Sequence, residues 1–291
     1  MRAIIKCGMR HFTTLVDTAT LATQLDRADL VLFDCRFDLG NVGWGMSEYA
    51  AAHLPGASYL HLDRDLSSPI TEHSGRHPLP DPHEFARLMG ARGVGPGCQV
   101  IAYDQGNGAH AARLWWLARW IGLENVAVLD GGFAAWRAAG LPLEQAERSR
   151  APRELPVSLR DGAWLTSEAV DELRQRPGNL LIDARGAERF AGRSETIDPV
   201  AGHVPGARNH PFLGNLGVDG RFLGPEQLRQ RWSVVLGSLP PSAVIAMCGS
   251  GVTACHNLLA LEHAGMGGGR LYAGTWSEWI RDSRRPIAIG Q

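Results

Sequence analysis

The sequence predicts an α/β protein with two similar domains, each built on a mainly parallel sheet flanked by helices. Three observations support this prediction. The chain has 291 residues, which is long for a single hydrophobic core. Short runs rich in Val, Ile and Leu alternate with segments of helical period, as they do in βα units. The two halves also carry the same motifs in the same order, which indicates a tandem duplication.

Four motif pairs define the duplication, and each marks an element of the predicted fold. The first and third pairs are apolar strand candidates, and the second is the sequence His-x-Pro-Gly-Ala. The fourth is a glycine followed by spaced aromatic residues. The pairs are 30–36 with 180–185, 53–57 with 203–207, 100–104 with 244–248, and 131–136 with 274–279. Coincidence of all four in one order is improbable, so we expect one domain fold twice.

Helical periodicity distinguishes helices from connecting segments along the chain. It predicts helices over Ala109–Ile121 and Thr253–Ala264, directly after the third motif of each half. The segment 143–159 is rich in Arg, Glu and Pro and lacks periodicity, which is typical of a linker. We therefore expect an N-terminal domain over 1–142, a linker over 143–159 and a C-terminal domain over 160–291.

Composition and charge exclude several classes of partner. The chain has 29 Lys and Arg against 30 Asp and Glu, a formal charge of −1. No global field is therefore expected to attract nucleic acid or an anionic membrane. No run of about 20 apolar residues could span a bilayer, and the first ten residues do not resemble a signal peptide. With its unpaired cysteines, the chain is expected to be cytoplasmic.

The cysteines do not form a structural set, and each of them taken alone is most often a small buried apolar residue. There are five of them, an odd number without paired CxxC spacing. This pattern argues against a disulfide scaffold and against a zinc site made of thiolates. The cysteines are Cys7, Cys35, Cys98, Cys248 and Cys255. We expect no metal, and local context must decide which thiol reacts.

Cys248 has the context that a nucleophile requires. It begins the loop CGSGVTA, which follows a predicted buried strand and runs directly into a predicted helix. In such a turn, backbone N–H groups and the helix N-terminus converge on one anion and stabilise a thiolate. The equivalent position in the first half is Asp104, which is no such nucleophile. Only the C-terminal domain is therefore expected to be catalytic.

Together, these motifs resemble the tandem domains of the rhodanese family, and the loop resembles that of 3-mercaptopyruvate sulfurtransferases. The resemblance covers almost the whole chain. It implies that Cys248 takes a sulfane sulfur from 3-mercaptopyruvate as a persulfide and releases pyruvate. A thiol acceptor, such as thioredoxin or a small thiol, or cyanide, would then collect the sulfur without any cofactor. Thiosulfate is the alternative donor, although thiosulfate enzymes carry Arg and Lys where this chain has Gly249 and Ser250.

The resemblance also implies a set of donor-binding residues. Arg189 matches the family arginine that faces the catalytic loop and clamps a carboxylate. A second arginine often stands nine positions later, but this chain has Asp198 there, and Arg193 is the candidate replacement. The loop residues expected to bind the donor are Gly249, Gly251, Val252 and Thr253.

A proton relay is implied as well. In mercaptopyruvate enzymes the loop serine works with a histidine and an aspartate of the first domain. Here the candidates are Ser250, His77 and Asp63, with His73 as the alternative histidine. Such a trio could move the proton needed when pyruvate leaves as an enolate.

Residues repeated in both halves are expected to be structural. Arg36 and Arg185 follow equivalent strands, one in the catalytic half and one in the other. A residue that served only the reaction would not be needed twice. We therefore predict that Arg185 forms a structural ion pair.

Overall fold

The computed structural model describes residues 11–290, so Cys7 lies outside the described residues. The first domain has a five-stranded parallel sheet with the order β1-β5-β4-β2-β3. Its strands are β1 (Leu15–Val16), β2 (Leu30–Asp34), β3 (Ala57–Tyr59), β4 (Gln99–Tyr103) and β5 (Val126–Leu129). Its helices are α1 (Thr18–Ala22), α2 (Trp44–Ala51), α3 (Leu62–Asp65), α4 (Pro82–Ala91), α5 (Ala109–Trp120) and α6 (Gly132–Ala138).

The second domain repeats this sheet with the order β6-β10-β9-β7-β8, again with parallel pairs throughout. Its strands are β6 (Trp164–Leu165), β7 (Leu180–Asp183), β8 (Arg208–Asn209), β9 (Val244–Met247) and β10 (Arg270–Tyr272). Its helices are α7 (Ser167–Leu173), α8 (Ala187–Phe190), α9 (Pro225–Leu236), α10 (Thr253–His263) and α11 (Thr275–Trp279), with 3-10 turns at Phe212–Asn215 and Pro241–Ala243.

The predicted fold class is confirmed. The two sheets have equivalent strand orders, and every residue of the inner strands β2, β4, β7 and β9 is buried. Burial on both faces explains why these strands are continuous apolar runs rather than alternating ones. Helices α5 and α10 each end one residue before the predicted position.

Arg185 forms a buried ion pair, as predicted, and so does its counterpart Arg36. Arg36 Nη2 lies 2.6 Å from Oδ2 of Asp34, and Arg185 Nη2 lies 2.7 Å from Oδ2 of Asp183. All four side chains are at most 1% exposed. The pairs fix the chain as it leaves the carboxyl ends of β2 and β7, the edge of each sheet where ligands of α/β proteins bind.

The segment between the two sheets has no regular structure of its own. Residues 139–163 contain neither helix nor strand. They are nonetheless attached to the first domain, since the amides of Arg153 and Ser158 donate to the carbonyl groups of Gly90 and Ile121. The linker therefore packs along the first domain instead of connecting the two domains as a flexible chain. Its bounds at 143–159 stay a prediction.

Helices α5 and α10 form the centre of the contact between the domains. One continuous apolar cluster contains residues from both helices and from both sheets. Its members on the two helices include Leu114, Trp116, Leu117, Leu258, Leu259 and Leu261. This packing fixes the loop before α10 against the first domain. Within residues 11–290, no helix is long and apolar enough to cross a bilayer.

Candidate active site

Cys248 lies between the end of β9 and the start of α10, as the sequence predicts. Its side chain is almost fully enclosed, with the residue 2% exposed. The Gly251 amide donates a hydrogen bond to its sulfur at 3.1 Å. Gly251 has φ +84°, a left-handed conformation that glycine adopts without strain. The loop therefore turns a backbone N–H toward the thiol, which favours a negative charge on sulfur.

Helix α11 and helix α5 hold this loop from two sides. The amides of Trp276 and Ser277 donate to the carbonyl oxygens of Cys248 and Gly249 at 3.1 and 3.0 Å. On the other side, Arg113 Nη1 donates to the carbonyl oxygen of Gly251 at 3.3 Å. Protein groups thus donate to the carbonyl oxygens of Cys248, Gly249 and Gly251, which holds the loop in one conformation.

A chain of hydrogen bonds runs from this loop into the first domain. The Ser250 hydroxyl lies 2.8 Å from Nδ1 of His77, and Nε2 of His77 lies 3.0 Å from Oδ1 of Asp63. An ionised carboxylate only accepts hydrogen bonds, so Nε2 carries the hydrogen and Nδ1 accepts from Ser250. His77 is 3% exposed, whereas the Asp63 side chain is 40% exposed. The structure brings together all three of the predicted relay residues.

Burial and charge set the protonation states of this chain. Desolvation lowers the pKa of His77, partly opposed by the hydrogen bond and the charge of Asp63. The hydrogen bond from His77 lowers the pKa of Asp63, which is therefore ionised near neutral pH. Neutral His77 beside ionised Asp63 can accept a proton through Ser250 and return it.

His73, the alternative histidine, lies elsewhere. Its side chain is 88% exposed, and its Nε2 lies 3.2 Å from a carboxylate oxygen of Glu72. It is solvated, on a turn before the segment that carries His77 into the site. The geometry therefore favours His77 over His73.

Arg189 lies over the loop, beside Cys248. A methyl group added at Gly249 would lie 3.5 and 3.6 Å from Nη2 and Nη1 of Arg189. Arg189 also donates to Glu195 through Nε at 3.1 Å and to Asp198 through Nη2 at 2.9 Å. The guanidinium is thus oriented by two carboxylates while Nη1 faces the loop.

The structure does not bring Arg193 to this site, in contrast to the expectation from sequence. Its guanidinium makes two hydrogen bonds to Glu188, at 2.8 and 2.7 Å, and its side chain is 53% exposed. The chain turns after α8, so that Arg193 points back along that helix toward solvent. Arg193 therefore cannot replace the missing second arginine.

Arg76, which no sequence motif singled out, lies beside the same loop. Its Nη2 would lie 3.2 Å from a methyl group at Gly249, and its Nη1 donates to Oδ1 of Asp198 at 2.6 Å. The only available signal was its position directly before His77. Nothing local to Arg76 shows which part of the second domain it faces.

These groups enclose a cavity of about 200 Å³ at the domain interface. Its polar lining includes Arg76, His77, Arg189, Cys248, Ser250 and Thr253, and its apolar lining includes Phe37, Leu39, Leu62, Ile197, Phe212 and Val252. Such a mixture suits a small polar molecule whose orientation is set by a few charged groups.

Cys255, the other cysteine of the second domain, is a poor nucleophile, because burial raises its pKa to about 12.

Comparison with known proteins gives consistent matches along the chain. The family model of the rhodanese-like domain matches residues 17–139 and 166–282. A Pseudomonas aeruginosa protein named "Probable 3-mercaptopyruvate sulfurtransferase" is 49% identical over 95% of this chain and 98% of its own length. A Cricetulus griseus protein named "Thiosulfate sulfurtransferase" is 33% identical over 84% of this chain and 82% of its own.

Among solved structures, the 3-mercaptopyruvate sulfurtransferase from Leishmania major superposes with a TM-score of 0.83 at 35% identity. The superposition covers 94% of this chain and 76% of that one. Both rhodanese-like domains, and their arrangement along the chain, are therefore shared with these proteins.

Proposed function

The chain belongs to the rhodanese family, and on that premise we propose that it is a 3-mercaptopyruvate sulfurtransferase with Cys248 as its sulfur carrier. One observation carries the proposal beyond family membership. The loop of Cys248 is joined through Ser250 and His77 to Asp63, so a nucleophile and a proton relay share one small cavity. Sulfur transfer from a thiol donor requires both.

The reaction follows from this arrangement with atoms and charges balanced. The Cys248 thiolate attacks the sulfur of 3-mercaptopyruvate, an S–S bond forms, and the C–S bond breaks with its electron pair leaving on the enolate of pyruvate. The proton of the donor's S–H group passes through Ser250 and His77 to the enolate, giving pyruvate. Cys248 is left as a persulfide, whose outer sulfur carries the negative charge and is stabilised by the backbone amides of the loop.

The charge of the cavity supports mercaptopyruvate over thiosulfate. Arg76 and Arg189 lie beside the loop and are already paired with Asp198 and Glu195, and Arg185, which also lines the cavity, is paired with Asp183. The cavity therefore has little unbalanced positive charge, which disfavours thiosulfate, a dianion, more than it disfavours a monoanion such as 3-mercaptopyruvate. The loop itself adds no cation, since Gly249 and Ser250 are uncharged.

The remaining roles follow from position. Arg189 binds the donor's carboxylate, and Gly249, Gly251, Val252 and Thr253 form the wall and the amide cradle around the transferred sulfur. A thiol, such as thioredoxin or a small thiol, or cyanide attacks the outer sulfur of the persulfide and restores the thiolate. This cycle needs reduced thiols, so we place the protein in the cytoplasm; Cys35, Cys98, Cys248 and Cys255 are all unpaired.

The test is persulfide loading measured by intact mass, together with pyruvate release, in the fully reduced protein. Wild type, Cys248→Ser and Cys98→Ser are each mixed with 3-mercaptopyruvate or with thiosulfate. Cys98 is a buried thiol of the first domain and serves as the matched control. We expect mercaptopyruvate to add one sulfur atom and release pyruvate in wild type and in Cys98→Ser only.

Two other outcomes would contradict the proposal in different ways. Loading by thiosulfate alone would keep the persulfide on Cys248 and change the donor to thiosulfate. If neither donor loads the wild-type protein, Cys248 is not a sulfur carrier, and the chain would be a partner-binding member of its family.

A further inference from the structure

We propose that Arg76, from the N-terminal domain, is the second donor-binding cation and grips the carboxylate of 3-mercaptopyruvate together with Arg189. The inference rests on the proposed function, because it names residues for the same site. It also assigns the N-terminal domain a direct part in substrate recognition, beyond supplying the relay.

Arg76 is held firmly although it lies in a loop between α3 and α4. Its backbone amide donates to Oγ of Ser277 at 2.9 Å, which attaches this loop to helix α11 of the other domain. Its side chain is 21% exposed and ends beside Gly249, the residue that follows the nucleophile. The guanidinium is therefore fixed next to the reacting thiol rather than free in solvent.

Asp198 sets the relative orientation of the two arginines. Its Oδ1 accepts from Nη1 of Arg76 at 2.6 Å, and its Oδ2 accepts from Nη2 of Arg189 at 2.9 Å. The carboxylate is 2% exposed, so its charge is little screened by water. It offsets the repulsion between two neighbouring cations and holds their outer edges apart at a fixed angle.

Each arginine keeps donors that no protein group occupies. Within residues 11–290, neither Nη2 of Arg76 nor Nη1 of Arg189 donates a hydrogen bond. These nitrogens would lie 3.2 and 3.6 Å from a methyl group at Gly249. The Nε of Arg76 is also buried without a partner.

Of these donors, Nε of Arg76 is buried, while the two Nη groups open on the cavity, where a ligand acceptor would take the place of water. A planar carboxylate can accept one bond from each guanidinium at the same time. The position beside Gly249 would leave the rest of a three-carbon donor directed at the sulfur of Cys248. Asp198 thus stands where the family often has a second arginine. It supplies no cation there, but it orients Arg76, which comes from the other domain.

The test compares Arg76→Ala, Arg76→Lys and Arg189→Ala with Arg193→Ala. Arg193 is the matched control, because it is a paired arginine outside the cavity. The measurements are kcat and KM for 3-mercaptopyruvate, and the Kd of pyruvate by calorimetry, which needs no turnover. Thermal unfolding of each variant shows that it is folded.

For Arg76→Ala we expect a rise of about 10- to 100-fold in both KM and the pyruvate Kd, the effect of losing one charge-assisted hydrogen bond in an enclosed site. The value of kcat should change by less than about threefold, because the relay and the nucleophile remain. Arg76→Lys should lie between Ala and wild type, because it keeps the charge and loses the planar fork. Arg193→Ala should match wild type.

Unchanged KM and pyruvate Kd in Arg76→Ala, with both raised in Arg189→Ala, would overturn the inference and leave the proposed function intact. A fall in kcat at constant KM would also overturn it, since Arg76 would then act through its neighbour His77. Failure of the wild-type protein to load sulfur would remove the proposed function, and pyruvate binding would still decide whether Arg76 contacts a carboxylate.

Discussion

At the scale of single residues, the hydroxyl of Ser250 joins the loop of Cys248 to the imidazole of His77, so the site can move a proton as well as a sulfur atom. The two donors differ in this requirement. Mercaptopyruvate leaves an enolate that must gain a proton, whereas thiosulfate leaves sulfite, which departs as an anion. The Asp63, His77 and Ser250 chain is therefore useful for the first donor only.

The variant His77→Asn tests this difference. We expect pyruvate release from 3-mercaptopyruvate to slow by about 100-fold or more, the usual contribution of general acid-base catalysis. The rate at which thiosulfate loads sulfur onto Cys248 should differ from the wild-type rate by less than about threefold. The control is His73→Asn, which removes the exposed histidine. Equal losses with both donors would mean that His77 supports the loop structurally.

The pH profile gives a second readout of the same prediction. Burial lowers the pKa of His77 from its ordinary value of 6.5, so the neutral form is complete above that value and is lost as the pH falls through the lowered pKa. The acid limb of kcat for mercaptopyruvate should therefore lie below pH 6.5. The limb should be absent from the thiosulfate reaction, and an NMR titration of the imidazole would give the pKa directly. A limb above pH 6.5 would contradict the assignment.

Among the secondary-structure elements, the site depends on the short turn between β9 and α10. The backbone conformation of this turn restricts which residues can occupy it more than side-chain packing does. Gly251 needs a positive φ to direct its N–H at the Cys248 sulfur. Thr275, at the start of α11, also has a positive φ, at 56°, which is unusual for a β-branched residue. Strain at the residue beneath a catalytic loop is common where the surrounding packing is strong enough to impose it.

Gly251→Ala should lose both stability and activity. The left-handed φ of this position is strained for alanine, and the added Cβ would lie 3.2 Å from the carbonyl oxygen of Ala273. We expect about 1–2 kcal/mol less free energy of unfolding in urea, and persulfide formation at least about 10-fold slower because the N–H moves away from the sulfur.

Gly97→Ala is the matched control for this prediction. Gly97 has φ +80°, and an added Cβ would meet no atom within 4 Å. Its unfolding free energy should also fall by about 1–2 kcal/mol, while its rate of persulfide formation stays that of wild type. A normal rate in Gly251→Ala would show that this amide does not serve the thiol.

At the scale of the whole molecule, the catalytic cavity exists only because the two domains are packed in one orientation. Arg113 of α5 is fully buried and connects the domains mainly through backbone carbonyl groups. It donates to Leu66, His77 and Pro78 in the first domain and to Gly251 in the second. One side chain thus positions both the relay histidine and the catalytic loop.

Arg113→Met keeps much of the side-chain length and removes every donor. We expect a loss of about 2–4 kcal/mol in unfolding free energy, because buried carbonyl oxygens lose their partners. Persulfide formation should slow as well, since His77 and Gly251 are no longer held together. Arg119→Met is the control. Arg119 also joins the domains, through an ion pair in which its Nη2 lies 2.8 Å from Oε1 of Glu262, and this pair lies away from the loop of Cys248. A stable, fully active Arg113→Met would exclude this positioning role.

The features of this protein that depend on local pattern could be predicted from its amino-acid sequence. The buried parallel strands, the helices α5 and α10, the structural role of Arg185 and the loop of Cys248 could all be predicted. Each of these is set by neighbours in the chain: an apolar run, a helical period, an ion pair two residues apart, or a glycine-rich turn before a helix. The tandem arrangement followed from repetition alone.

Which distant side chains meet at the thiol depends on the packing of the two domains and became visible in the folded structure. It brought His77 rather than His73 to Ser250, a residue 173 positions away, and Arg76 rather than Arg193 to Asp198, which lies 122 positions from Arg76. No local pattern encodes such contacts, because they depend on how α5 and α10 pack the two domains together. The nucleophile is therefore a property of a short segment, and the recognition of its donor is a property of the domain interface.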